Sequence, residues 1–307
     1  MIGVKRALIM LKIELLIVAL KILRKFQTSI YREIIETGRV LSKQDQISRI
    51  VGSTSYNMQE EPNEKHYLDE YFYQIEKSLP KMRKTQSLSI LDLGCGQGRF
   101  IERLLKIYPY AEIVGIDISE DALDYAKSLF IKNKNVQLIL GNYSTYLDSI
   151  PDNSFDILVF TEVAFFFPGW KSDFAKMVSK LKSDGHLIFS TRSSYFNVLS
   201  QISAGNLMDA LRISNTEEGN IAIADPMRFT WNSSKELVSF FQNNSMTVLS
   251  ISGIGVCSGI EGDPMAKIAM PSKLNMDDRE ILKNIENIFS NLIPDVGRYI
   301  LVIASKP

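Results

Sequence analysis

From residue 88 onward the chain alternates two kinds of segment. Short apolar runs lie at 88–93 (LSILDL), 112–117 (EIVGID), 135–140 (NVQLIL), 154–160 (SFDILVF) and 185–191 (GHLIFST). Stretches with apolar residues at helical spacing fall between most of them, at 98–108, 119–132 and 171–182. Pro109 stops the first stretch, and Ser119 opens the second as an N-cap with acids in the first turn. Strands this apolar have no face left for water, so the pattern predicts a parallel sheet covered by helices on both sides, with right-handed crossovers. Farther on, 233–244 reads as a helix, 246–252 as a strand, 277–291 as a helix and 298–305 as a last strand. The stretches 204–230 and 253–297 are too long for ordinary connections and read as insertions that shape a site.

Residues 1–80 read differently, as helices and loops. Tyr67, Leu68, Tyr71, Phe72, Ile75 and Leu79 recur at helical spacing, and Pro80 with the polar KMRKTQS after it reads as a linker. The pattern divides the chain into a helical extension or lid, 1–80, and a main domain, 81–307. Within the extension, 7–26 is strongly apolar but contains Lys12 and Glu14, and residues 1–26 carry six Lys/Arg against one Glu. That composition suits either a helix packed on the domain or a helix lying in a membrane interface, a peripheral contact.

Composition narrows the chemistry. The 307 residues are 45% apolar, enough for one large core, and the formal net charge is zero, so no global field attracts nucleic acid. Two cysteines, Cys95 and Cys257, and two histidines, His66 and His186, show no metal-ligand or disulfide spacing. The expectations are no metal, no nucleic acid and a reducing, cytoplasmic setting.

The segment 90–100, ILDLGCGQGRF, holds the clearest chemistry. A strand delivers Asp92, and then Gly94, Gly96 and Gly98 leave a nearly bare backbone that can turn sharply and lie against a ligand. Asp117 ends the next strand, where an acid can accept two hydrogen bonds from a ribose diol. A phosphate-binding P-loop would need Lys-Ser/Thr after the glycines, which this loop lacks. A dinucleotide loop would need GxGxxG, but the spacing here is GxGxG, with Arg99 in place of the third glycine. An acid just before the loop favours a cationic ligand over a diphosphate.

LDLGCGQG followed by VGIDIS resembles the first two motifs of class I S-adenosylmethionine-dependent methyltransferases, and PDNSFDILVF and LKSDGHLIFST resemble the approach to their fourth strand and their fifth strand. The resemblance covers residues 85–192 and is of the small-molecule, quinone-biosynthesis-like type. It implies a Rossmann-like, doubly wound, seven-stranded and mostly parallel sheet, here with insertions after strands 5 and 6. It also implies S-adenosyl-L-methionine as cofactor and in-line methyl transfer to a small-molecule acceptor. Asp92 and the loop Gly94, Cys95, Gly96 and Gly98 would hold the methionine end, and Asp117 the ribose. Ile118, Asn142 and Tyr143 would meet the adenine, and Phe160 the transfer region. Asn142 stands where the family often has Asp.

The other candidates are weaker. His66 and Glu162 are candidates for a base or an orienting group. Trp170, Arg192, Tyr195, Arg228 and Trp231 are candidates for acceptor binding. A non-catalytic binding or membrane-associated protein that kept the fold is the competing reading.

Overall fold

The computed structural model describes residues 57–79, 87–220 and 228–307. The apolar stretch 7–26 and most of the 1–80 unit lie outside the described residues.

Helix α1 (Pro62–Ser78) starts with proline at its first turn, and the Glu61 carboxylate accepts the Glu64 N–H at 2.8 Å. Tyr67, Tyr71, Phe72 and Ile75 form one buried face. The alternation of strand and helix then appears as the sequence predicts, with one added helix, α4, that it did not predict: β1 (Ser89–Leu93), α2 (Arg99–Ile107), β2 (Glu112–Asp117), α3 (Glu120–Leu129), β3 (Val136–Leu140), α4 (Tyr143–Ser149), β4 (Phe155–Phe160), α5 (Trp170–Lys180) and β5 (Leu181–Arg192). Ser119 caps α3 by accepting the Ala122 N–H.

After β5 come α6 (Ser194–Ser203), α7 (Leu207–Ser214), a small antiparallel ribbon of β6 (Glu218–Asn220) and β7 (Arg228–Thr230), and α8 (Ser234–Asn243). The chain closes with β8 (Thr247–Ile254), α9 (Met276–Phe289) and β9 (Tyr299–Ser305). The stretch 204–230 is therefore less irregular than expected. On α7 only Ala210 and Ile213 are buried while Leu207, Met208 and Leu211 are exposed, so its apolar residues do not mark a single buried face in the sequence.

The seven strands run in the order β3-β2-β1-β4-β5-β9-β8. β1 to β5 are parallel, and β9 is antiparallel to both β5 and β8. Alternate strand residues serve opposite layers. Ile90, Ile157, Val159, Ile188 and Leu301 pack with residues of α1, α2 and α3. Leu91, Leu158, Phe160, Leu187, Phe189 and Val302 pack with residues of α4, α5 and α8. Both layers exclude water, which is why these strands read as unbroken apolar runs. Truncating one of these leucines to alanine would cost about 2–5 kcal/mol. The strand order reverses at β1, whose neighbours are β2 and β4, and that leaves a crevice beyond their carboxyl ends.

Candidate functional site

A cavity of about 360 Å³ occupies that crevice. Its floor is the turn after β1. The N–H groups of Gly94 and Cys95 both donate to the Ile116 carbonyl, at 2.7 and 3.0 Å. Gly94 has φ +79°, and a Cβ there would sit 2.3 Å from a Val163 methyl. Gly98, the N-cap of α2 at φ +83°, would put a Cβ 2.6 Å from the Phe130 ring. Asp117 clamps the turn from the next strand. Its Oδ2 accepts the Gly96 N–H and its Oδ1 the Ser119 N–H, each at 2.8 Å. Burial pushes the Asp117 carboxyl above its usual range, and the backbone N–H groups partly offset that.

Asp92 lines the same cavity in a different state. It is buried, and its Oδ2 has no hydrogen-bond partner. Burial, then the charge of Asp117, push its carboxyl up to about 8, and Arg99 opposes them. A buried acid left half unanswered beside a bare turn fits a cationic ligand. The Cys95 thiol is pushed up by burial and by the two aspartates, so it stays protonated and is no nucleophile.

On the opposite side of the cavity the sequence singled out Glu162 and Arg192 but not what surrounds them. Arg99 opens α2, and its guanidinium binds Glu64 of α1 at 2.8 Å and also binds Glu162, which follows β4. Glu162 adopts a left-handed φ of +59°. Its N–H donates to Ser190 Oγ at 2.9 Å, and the same oxygen receives the Tyr71 hydroxyl at 3.0 Å. A strained residue held by two elements at the mouth of a cavity marks a functional position. Arg192, Arg298, Tyr299, Ile260 and residues 165–167, all phenylalanine, complete the wall. Arg298 pairs with Asp263.

Of the cofactor candidates, Asp92, Gly94, Cys95, Gly96, Asp117, Ile118 and Tyr143 line the cavity together. Three do not. Gly98 works one residue behind the cavity, as the cap just described. Asn142 is spent on α4, where its Oδ1 accepts the Ser144 and Thr145 N–H groups; a short helix leaves its first donors unpaired, and this side chain answers them. The neighbouring Gly141 lines the cavity instead. Phe160 is fully buried behind Tyr143, with ring centroids 5.0 Å apart, and belongs to the core.

Among the acceptor candidates, Arg192 lines the cavity. Trp170 packs on Phe189 and Phe174 in the core, and Trp231 is buried with its indole N–H on the Thr216 carbonyl. Tyr195 is exposed on the first turn of α6, away from the lining, and Arg228 is the first residue of β7. Of the two base candidates, Glu162 lines the cavity and His66 does not.

His66 instead lies between Glu286 of α9, 2.5 Å away, and Glu70, 3.5 Å away. Burial alone would lower its pKa, but hydrogen bonds to both glutamates and their charges outweigh burial and raise it to about 9. The three donor atoms lie within 4.8 Å of one another, a metal-like grouping. With the imidazole protonated, the group is an ion-pair cluster joining two helices, and a metal would have to displace that proton to bind.

Residues 84–245, just over half of the chain, match the sequence model of a family described as a methyltransferase domain. A malonyl-[acyl-carrier protein] O-methyltransferase of Halalkalibacterium halodurans is 32% identical over 109 residues, which are 35% of this chain and 40% of that protein. The enzyme of the same name from Acetivibrio thermocellus is 33% identical over 104 residues, 34% of this chain and 35% of that one. The chain thus spans well under half the length of the curated relatives it matches. The crystal structure of an S-adenosylmethionine dependent methyltransferase from Mesorhizobium loti superposes with a TM-score of 0.50 at 16% identity, covering 78% of this chain and all of that one. At that identity the likeness is one of fold.

Proposed function

We propose, on the premise that this chain belongs to the class I S-adenosylmethionine-dependent methyltransferases, that it passes a methyl group from S-adenosylmethionine to a small-molecule acceptor by in-line displacement. The observation that carries this reading is the orphaned, buried Oδ2 of Asp92 beside a glycine turn. Asp92 and the backbone of Gly94 and Gly96 would hold the cationic methionine end. Asp117, which already accepts one N–H on each oxygen, keeps lone pairs for the ribose hydroxyls. Ile118 and Tyr143 would flank the adenine. The bound sulfonium supplies a methyl group that is already activated.

The protein's own task is then positioning, which can contribute roughly 7–11 kcal/mol. Glu162 holds Arg99, and Arg99 holds Glu64, so the acceptor side is fixed before a ligand arrives. Met58 and Glu64 close one side of the cavity, which supports reading residues 1–80 as an extension that covers the site. The relatives named above are described as acting on a malonyl group carried by acyl-carrier protein, and a carrier-linked or free small acceptor is the reading extended to this chain. No helix among the described residues is long and apolar enough to cross a membrane. A cytoplasmic protein that touches membrane surfaces through residues 7–26 is part of the same proposal.

Calorimetry with S-adenosylhomocysteine tests the reading. Saturable binding is expected, weakened by tenfold or more in Asp117→Ala, since a charge-assisted hydrogen bond contributes about 1.5–3 kcal/mol. A folded wild-type chain that does not bind would refute the proposal, and binding without turnover on any acceptor would favour the non-catalytic alternative.

A further inference from the structure

We propose that the acceptor is a carboxylic acid and that Arg192 holds its carboxylate at the transfer end of the cavity, an inference that rests on the methyltransferase reading above. Three arginines line this cavity, and two are occupied: Arg99 by Glu64 and Glu162, and Arg298 by Asp263. Arg192 makes no hydrogen bond or ion pair through its guanidinium among the described residues. Its guanidinium carbon sits 4.6 Å from the centroid of the Tyr299 ring and 4.9 Å from that of Phe165. Such contacts reach the face of a cation and leave its N–H edge free. That edge is a planar fork that matches a carboxylate bidentately.

The position is fixed as firmly as the rings. Arg192 ends β5 and pairs in register with Tyr299 of β9, and its carbonyl accepts the Asn232 N–H at 3.1 Å. Burial lowers the Arg192 pKa, with the nearby Arg298 adding to it, while Tyr299, Glu162 and Asp263 work against them. Those two carboxylates cannot relieve it, because each is already held by another arginine. An anion brought in by a ligand would. Phe165 against the guanidinium, and Phe166 and Ile260 in the lining of the same cavity, supply apolar surface for the rest of the acid.

A carboxylate also needs no base, which suits a site where the two base candidates are spent or elsewhere: Glu162 on Arg99, and His66 outside the cavity. A lone pair of one carboxylate oxygen forms the O–CH₃ bond while the S–CH₃ bond breaks and its electron pair stays on sulfur. The negative acid and the positive sulfonium give a neutral ester and a neutral thioether. No proton moves, so Glu162 can remain bound to Arg99 and His66 can remain outside the cavity.

The test uses the full chain, tritium-labelled methyl donor and three probes: malonyl-coenzyme A, free malonate and octanoate. Carboxyl methyl esters release their label as methanol in mild base, whereas phenol ethers, methylamines and C-methyl products do not. Base-labile label from at least one probe is expected, and the pattern across probes tells a carrier-linked acid from a free one. Arg192→Met, which keeps apolar bulk against the two rings, should raise KM so that kcat/KM falls roughly 100-fold. Its affinity for S-adenosylhomocysteine should be unchanged, and Arg192→Lys should restore part of the loss. Three results would overturn the proposal: base-stable label, no label from any probe in protein that binds S-adenosylhomocysteine, or an Arg192→Met variant as active as wild type. A wild-type chain that fails to bind S-adenosylhomocysteine would sink the methyltransferase reading instead.

Discussion

Asp92 illustrates how a single side chain reports what its cavity is for. With its carboxyl pushed up to about 8, it is mostly protonated at neutral pH in the free protein. A cationic ligand needs the ionised form, so binding must expel a proton. The affinity for S-adenosylmethionine should therefore rise with pH by up to about tenfold per unit and level off above about 8. Calorimetry in buffers of different ionisation enthalpy would read the released proton directly, and Asp92→Asn should bind weakly with a flat profile. Asp92, Gly94 and Asp117 were legible because their meaning lies in residue type and short spacing. The bond from Arg99 to Glu162 was not, because it joins positions 63 residues apart that only the folded sheet brings together. Asn142 takes up a second role that the sequence did not show, for a local reason. A polar residue after Gly141 looks the same whether it faces an adenine or caps a helix, and here it caps.

Among the elements, α1 carries a buried charge cluster beside its apolar face. Its His66 sits in the cluster with Glu70 and Glu286. His66 is raised from 6.5 to about 9, so the stability it adds is complete below pH 6.5 and is lost as pH rises through about 9. Glu70, pushed up by burial and then by Glu286, works in the same direction. Burial would raise Glu286 too, but its hydrogen bonds to Glu70 and His66 outweigh that and hold it low, so its contribution is lost only in acid. Melting temperature should thus fall between pH 6.5 and 9, with a change on the order of 3 kcal/mol. His66→Gln should abolish most of that slope, which thermal unfolding across the pH range would show. The strands and the long amphipathic helices were legible because burial on one or both faces writes a period into the sequence. α4 and α7 were not: one is seven residues long and mostly polar, and the other exposes Leu207, Met208 and Leu211 while burying only Ala210 and Ile213.

For the molecule as a whole, the composition of residues 1–26 bears on location. Six basic residues and one acid among residues 1–26 favour an anionic surface. The full chain should float with anionic liposomes, and a chain lacking residues 1–26 should not; equal flotation of the two would end that reading. The seven-strand order was implied by the resemblance of a few short motifs, whereas the wall that α1 gives the cavity came only from the assembled fold. That wall also sets a timetable for biosynthesis. α1 packs on β8, β9 and α9, and Glu70 accepts the N–H of Gly255, 185 residues downstream. At about 5–20 residues per second, a ribosome takes roughly 10–40 s to cover that distance. Throughout that delay the helix has α2 to pack on, with Phe72 against Phe100 and Glu64 on Arg99, but the wall of Ile260, Arg298 and Tyr299 is missing, so a nascent chain that stalls short of its last strands carries the glycine turn but never an intact chamber.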